Sequence, residues 1–198
     1  MHYYLLDNSK DRRFRPVGEV YYTPCAESGW AVSVSMPREY CADHERVHVS
    51  DVNEAVAMVP QDRELADKLR TFPDSHVFSE RMKAVVDSLH CNESLAYLPV
   101  RVVDESGKHR ANYWMAYPAQ SYYPLDDATS EFSYWEHNPN RRHQVLCWSL
   151  DPSKVPEQDL FYADDVASGY HWICTDNFRN AVITHGFTGC HFEQIGVF

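Results

Sequence analysis

Apolar positions along the chain repeat with two different periods. Tyr3 to Leu6, Glu19 to Thr23 and Trp30 to Met36 form short extended stretches. The last sets Trp30, Val32, Val34 and Met36 on one side and Ala31, Ser33 and Ser35 on the other, the alternation of a half-buried strand. Between Asp51 and Leu89 the spacing becomes helical. Leu65, Leu69 and Phe72 predict one helix ended by Pro73, and Met82, Val85, Val86 and Leu89 predict a second, N-capped by Ser79. Leu95 to Val103 and Tyr113 to Tyr117 predict an antiparallel hairpin through Asp104-Glu105-Ser106-Gly107. From Pro118 to Asp159, acidic pairs and prolines predict irregular surface structure with one strand near Val145 to Leu150. Thr175 and Asp176 then open a third helix with Phe178 and Val182 on its buried face, Gly186 ends it, and Cys190, Phe192 and Ile195 lie on a closing strand.

These elements predict an α+β fold, a mixed or antiparallel sheet with a few packed amphipathic helices. One domain is expected over 1–198, β-rich over 1–60 and helix-hairpin-loop-helix-strand over 61–198. Phe78 to Val86, followed by Tyr97 to Val100, is patterned like Cys174 to Val182 followed by Phe192 to Ile195. A duplicated helix-strand unit would account for the echo.

Composition narrows the partners. With 44% hydrophobic and 14% aromatic residues among 198, the chain can bury a sizeable core. Eighteen Lys plus Arg against 29 Asp plus Glu give a net charge of −11, which repels nucleic acid and attracts a basic protein surface. The first residues carry no signal-peptide pattern and no apolar run reaches membrane-spanning length, so a cytoplasmic chain without a membrane partner is expected. Six scattered cysteines without a CxxC pair predict reduced, buried thiols.

His44-Glu45-Arg46-Val47-His48 matches HExxH, in which two histidines one helical turn apart hold zinc and the glutamate acts as base. That chemistry needs a helix, whereas Val47-His48-Val49-Ser50 alternates like a strand, and Arg46 sets a cation between the would-be ligands. A zinc-dependent metallohydrolase stays the alternative function, with a non-enzymatic chain without cofactor preferred. Cys190-His191 are strand neighbours pointing to opposite faces, so they do not converge as a catalytic pair. Asp126-Asp127 and Asp164-Asp165 lack the alternating oxygen ligands of a calcium loop. With Glu131, Tyr134 and Trp135 they are instead candidates for a protein interface.

The order Tyr97 to Asp104, a glycine turn, Tyr113 to Tyr117, Leu125-Asp126, Ser130-Glu131, Asp159-Leu160-Phe161, Phe178, Gly186-Phe187-Thr188-Gly189 and Phe192 resembles the eleventh numbered immunity-protein family of bacterial polymorphic toxin systems. The resemblance covers the C-terminal half to two-thirds and leaves the first third outside. It implies a non-enzymatic cytoplasmic protein that binds and neutralises a cognate toxin used in interbacterial competition, and it transfers no catalytic residues. On charge grounds that toxin should present a basic active-site surface.

Overall fold

The computed structural model describes residues 1–8, 20–24, 52–59, 61–62, 64–70, 76–91, 95–104, 106–165 and 169–197. Among these, fourteen strands accompany two short helices. One six-stranded sheet, sheet I, is built from β2 (Val20–Pro24), β3 (Val52–Val59), β4 (Lys68–Arg70), β5 (His76–Ser79), β6 (Leu95–Asp104) and β7 (His109–Pro118), in the order β2-β3-β6-β7-β5-β4. Sheet II is built from β1 (Tyr3–Asn8), β8 (Ser121–Tyr122), β11 (Ser149–Leu150), β12 (Leu160–Asp165), β13 (Gly169–Thr175) and β14 (Cys190–Val197), in the order β11-β14-β1-β13-β12-β8. Strands β9 (Glu131–Trp135) and β10 (Asn138–Cys147) pair with each other as a separate ribbon. The helices are α1 (Glu80–Asp87) and α2 (Asp176–Thr184).

The expected α+β fold with packed helices is therefore corrected to a mostly β architecture of several sheets. The helix predicted across Leu65 and Leu69 is absent because the backbone there bonds outward. Asp67 O accepts from Ser79 N at 2.7 Å and Lys68 N donates to Thr188 O at 3.0 Å, so no i to i−4 ladder forms around Asp67 and Lys68. Leu69 lies in β4 instead, while Phe72, Pro73 and the strand predicted over Trp30 to Met36 lie outside the described residues. Upstream, Ala55, Ala57 and Val59 are buried at every second position of β3, the period of a strand. The stretch from Pro118 to Asp159 holds four strands, since Phe132 to Trp135 and Gln144 to Cys147 carry aromatic and β-branched residues that favour pairing.

Alternation sends side chains of each sheet to two cores. Trp172 and Cys174 of β13, Tyr4 and Leu6 of β1, and Phe78 of β5 enter a shared core between the sheets together with Met82, Val86, Phe178 and Val182 of the helices. His76 and Trp172 meet there with ring centroids 5.1 Å apart. Val77, Val100 and Met115 line the other face of sheet I, and Phe161, Ile173 and Ile195 that of sheet II.

The two sheets place their helices alike. Strands β5 and β6 flank antiparallel β7, with Ser79 and Val100 both opposite Tyr113. Strands β13 and β14 flank antiparallel β1, with Thr175 and Ile195 both opposite Tyr3. Lys83 of α1 lies 5.1 Å over the Trp114 ring, and Arg179 of α2 lies 5.0 Å over Tyr4. Helix α2 ends in a Schellman turn: Gly186 adopts φ +62°, Phe187 N donates to Val182 O and Gly186 N to Ile183 O.

Candidate functional site

Between β8 and β12 the chain leaves the sheets and returns. Leu125 bridges to Leu150 and both are fully buried, which pins the root of the excursion. Asp126 shapes the turn that follows. Its amide donates to Ser149 O at 2.9 Å, and its carboxylate accepts from the Ala128 amide and the Thr129 hydroxyl, each at 2.9 Å, the local bonding that makes aspartate a turn residue.

From there β9 and β10 run as an antiparallel ribbon. Trp135 pairs with Asn138 across the two-residue turn Glu136-His137. The register then slips between Asn138 and Arg142, so Pro139, Asn140 and Arg141 form an irregular bulge, where a residue without an amide hydrogen is tolerated. At the base Val145 is buried and Phe132 half-buried; elsewhere the ribbon is largely open. Tyr134 (50% exposed), Trp135 (43%) and Leu146 (61%) are three of the five large apolar side chains exposed among the described residues. That concentration on one ribbon makes it the candidate for an interaction surface.

Arg142 fastens the ribbon to the body. Its guanidinium lies 3.8 Å over the Phe132 ring, donates to Asp127 Oδ1 at 2.8 Å and also reaches the Tyr123 hydroxyl. Tyr123 donates to the same Asp127 oxygen at 2.7 Å. The Tyr123 hydrogen bond, aided by Arg142 and opposed by partial burial, holds the Asp127 carboxyl below its ordinary pKa. Burial, together with that carboxylate, raises the Tyr123 phenol. At the tip, Trp135 meets His143 edge-on at 4.3 Å, and the Arg141 guanidinium lies 5.9 Å from the Trp135 ring.

The candidate residues thus separate into three groups. Asp126 and Asp127 are engaged within the fold. Glu131, Tyr134 and Trp135 are exposed on β9. Asp164 and Asp165 close β12, paired by backbone with Tyr170 and Gly169, and the parallel pairing of Ala163 with Tyr122 brings that strand end beside the Tyr123 segment. His44, Glu45 and His48 lie outside the described residues. Sequence reasoning missed Phe132, Arg142 and Leu146 as site residues. Their signal is two runs of strand formers, Phe132 to Trp135 and Gln144 to Trp148, separated by the polar stretch Glu136 to His143 that contains Asn138-Pro139. The expectation of buried thiols holds for Cys91 and Cys174, whereas Cys147 of β10 is exposed.

Hydrogen-bonded carboxylates at the root and exposed aromatics at the tip suit recognition of another surface. No curated protein matches the chain. The model of the Immunity protein family (Imm11) matches residues 2–197 and so takes in the first third along with the motifs of the later two-thirds: the chain belongs to the Imm11 immunity protein family.

Proposed function

We propose that the chain neutralises a cognate bacterial toxin by direct contact, as one folded unit over residues 1–198, in the cytoplasm and without catalysis or cofactor of its own. Family membership supports the toxin-neutralising role and a toxin as partner. The observation that carries direct contact is the ribbon, which stands outside both sheets and exposes Tyr134 and Trp135, residue types that dominate binding energy in protein interfaces. A charge of −11 suits a toxin with a basic active-site surface, with Asp164 and Asp165 as steering charges and Glu131 as a contact residue at the base of the ribbon. No helix among the described residues is long and apolar enough to cross a membrane.

The test is co-expression with the toxin encoded beside this chain's gene. Survival of the cells and co-purification of the pair are expected. Cell death in the presence of soluble, folded chain would overturn the reading.

A further inference from the structure

We propose that the β9–β10 ribbon is an aromatic anchor that inserts Tyr134 and Trp135 between the apolar walls of a cleft in the toxin, with the charged residues of its turn left at the rim, while the Tyr123–Asp127–Arg142 clamp fixes its angle. The proposal rests on the toxin-binding reading above and divides the labour between affinity and attraction. Residues 131–147 contain Glu131, Glu136, Arg141 and Arg142, no net charge in a chain of −11. Long-range attraction to a basic partner therefore belongs to the rest of the molecule. A ribbon whose two acidic and two basic residues balance is neither drawn to nor repelled by a basic surface as a whole, so its share of the binding has to come from close contact by Tyr134 and Trp135.

Shape adds to charge. Tyr134 and Trp135 are successive residues of one strand, so their side chains leave opposite faces of the ribbon. With Tyr134 50% and Trp135 43% exposed, neither face of the tip is fully covered by the body. A tip apolar on both sides fits a cleft with two walls better than a flat surface. Trp135 is also held in place by His143 and Arg141, which lowers the ordering cost of binding. Arg142, opposite Tyr134 and spent on Phe132, Tyr123 and Asp127, ties the ribbon just below its tip to the turn at Asp126. Asp127 is then a positioning residue, acting through Arg142 without touching the partner.

The experiment titrates the full chain with the purified toxin encoded beside its gene and measures association and dissociation rates at low and high ionic strength. Trp135→Ala and Tyr134→Ala should each raise Kd by about 30-fold or more, chiefly through faster dissociation, and Trp135→Phe should recover most of the loss. Higher salt should slow association of wild type and tip variants alike. Asp127→Asn should raise Kd about tenfold, with faster hydrogen exchange in residues 131–147 and an unchanged midpoint of global unfolding. Circular dichroism checks that each variant is folded. Wild-type binding with both tip variants within threefold would overturn the anchor and leave the immunity reading standing. Tip variants that abolish self-association while sparing toxin binding would identify the ribbon as a contact between copies of this chain and equally overturn it. If the wild-type chain forms no complex with the toxin, the immunity reading fails and takes this inference with it.

Discussion

Asp67 and Asp159 hold the same place in the two strand–helix–strand units, each immediately before a strand, β4 in one and β12 in the other. Each takes the amide of the residue that opens the neighbouring helix on its main-chain oxygen, Ser79 N at 2.7 Å and Thr175 N at 3.0 Å. Each takes that residue's hydroxyl on Oδ1, at 2.9 Å from Ser79 and 2.6 Å from Thr175. Each also reaches into the opposite unit. Thr188, beyond α2, donates its amide to Asp67 Oδ2 at 3.0 Å, and His90, beyond α1, donates its amide to Asp159 Oδ2 at 3.2 Å. The two brackets therefore lace the units together at both ends of the shared core.

The surroundings of the brackets differ. Asp67 is met at the surface by Arg81, 3.0 Å away and 61% exposed, whereas the residue one place into α2 is Asn177. Asp159 is 8% exposed and accepts from an amide and a hydroxyl. The Ser79 hydroxyl also accepts from Met82 N at 3.1 Å and so caps α1, while the Thr175 hydroxyl makes no cap bond to α2. The same backbone geometry thus accommodates a charge-paired rim and an interior of neutral donors. Burial, more than bond count, should decide how much each bracket contributes.

The largest effect should come from the joint between Gly189 and Lys68. Gly189 has φ +89°, and a Cβ there would lie 2.0 Å from Lys68 O, beside the Lys68 to Thr188 bond. Gly189→Ala combines backbone strain with a clash against main chain and should cost about 4 kcal/mol or prevent folding. Gly186→Ala, at φ +62° with open space around it, should cost only about 1 kcal/mol. Urea unfolding of both variants measures the gap, and equal costs would show that the close approach of the units does not matter.

Next come the carboxylates. Asp159→Ala leaves the buried Thr175 hydroxyl and the part-buried His90 amide without their acceptor and should cost about 3 kcal/mol. Asp67→Ala, at the rim with water to replace it, should cost about half as much. The reverse order in chemical denaturation would show that the Arg81 pair, and not burial, governs the brackets.

Sequence showed the parts of these brackets whose signal is local. Ser79 reads as an N-cap because a hydroxyl residue precedes a 3.6-residue apolar repeat, and Gly186 reads as a helix end because a left-handed residue is needed there. Thr175 shows the limit of that logic. It occupies the cap position, but its hydroxyl is claimed by Asp159, sixteen residues earlier, and nothing in the cap pattern registers that competition. Leu65 and Leu69 were misleading for the same reason, since the helical spacing is there while long-range partners take the Asp67 and Lys68 backbone. At the candidate site, the aromatic pair Tyr134-Trp135 was visible as composition. Its standing on a ribbon was not, because Pro139 and the bulge around it break the alternation that marks a hairpin.

A smaller effect separates the caps. Ser79→Ala removes a donor to Asp67 and an acceptor for Met82 N, and should cost about 1.5 kcal/mol. Thr175→Val keeps shape, loses only the bond to Asp159 and leaves the first turn of α2 as it was, so about 1 kcal/mol is expected. Helicity followed by circular dichroism below the unfolding transition sharpens the contrast. Fraying should appear at α1 in the first variant and be absent from α2 in the second. Fraying of α2 would mean that Thr175 caps in solution.

The smallest effect is the acid dependence that Arg81 gives to one bracket. Burial alone would raise the Asp67 carboxyl, but donors from Arg81, the Thr188 amide and the Ser79 hydroxyl outweigh it and set the folded pKa below the ordinary 3.8. A depressed folded value contributes stability that is present above the unfolded pKa and is lost as pH falls through the folded one. The stability difference between wild type and Asp67→Asn should therefore stay constant from neutral pH to about pH 5, then shrink from about pH 4 downward. With Arg81 largely in solvent, the ion-pair share should be below about 1 kcal/mol and should diminish in high salt. Arg81→Gln should narrow the acid window from below, because the remaining donors depress the pKa less. Urea unfolding at stepped pH reads all three chains. A wild-type to Asp67→Asn difference that holds unchanged down to about pH 2 would mean that the bracket does not depend on the carboxylate charge, and that the two brackets differ in burial alone.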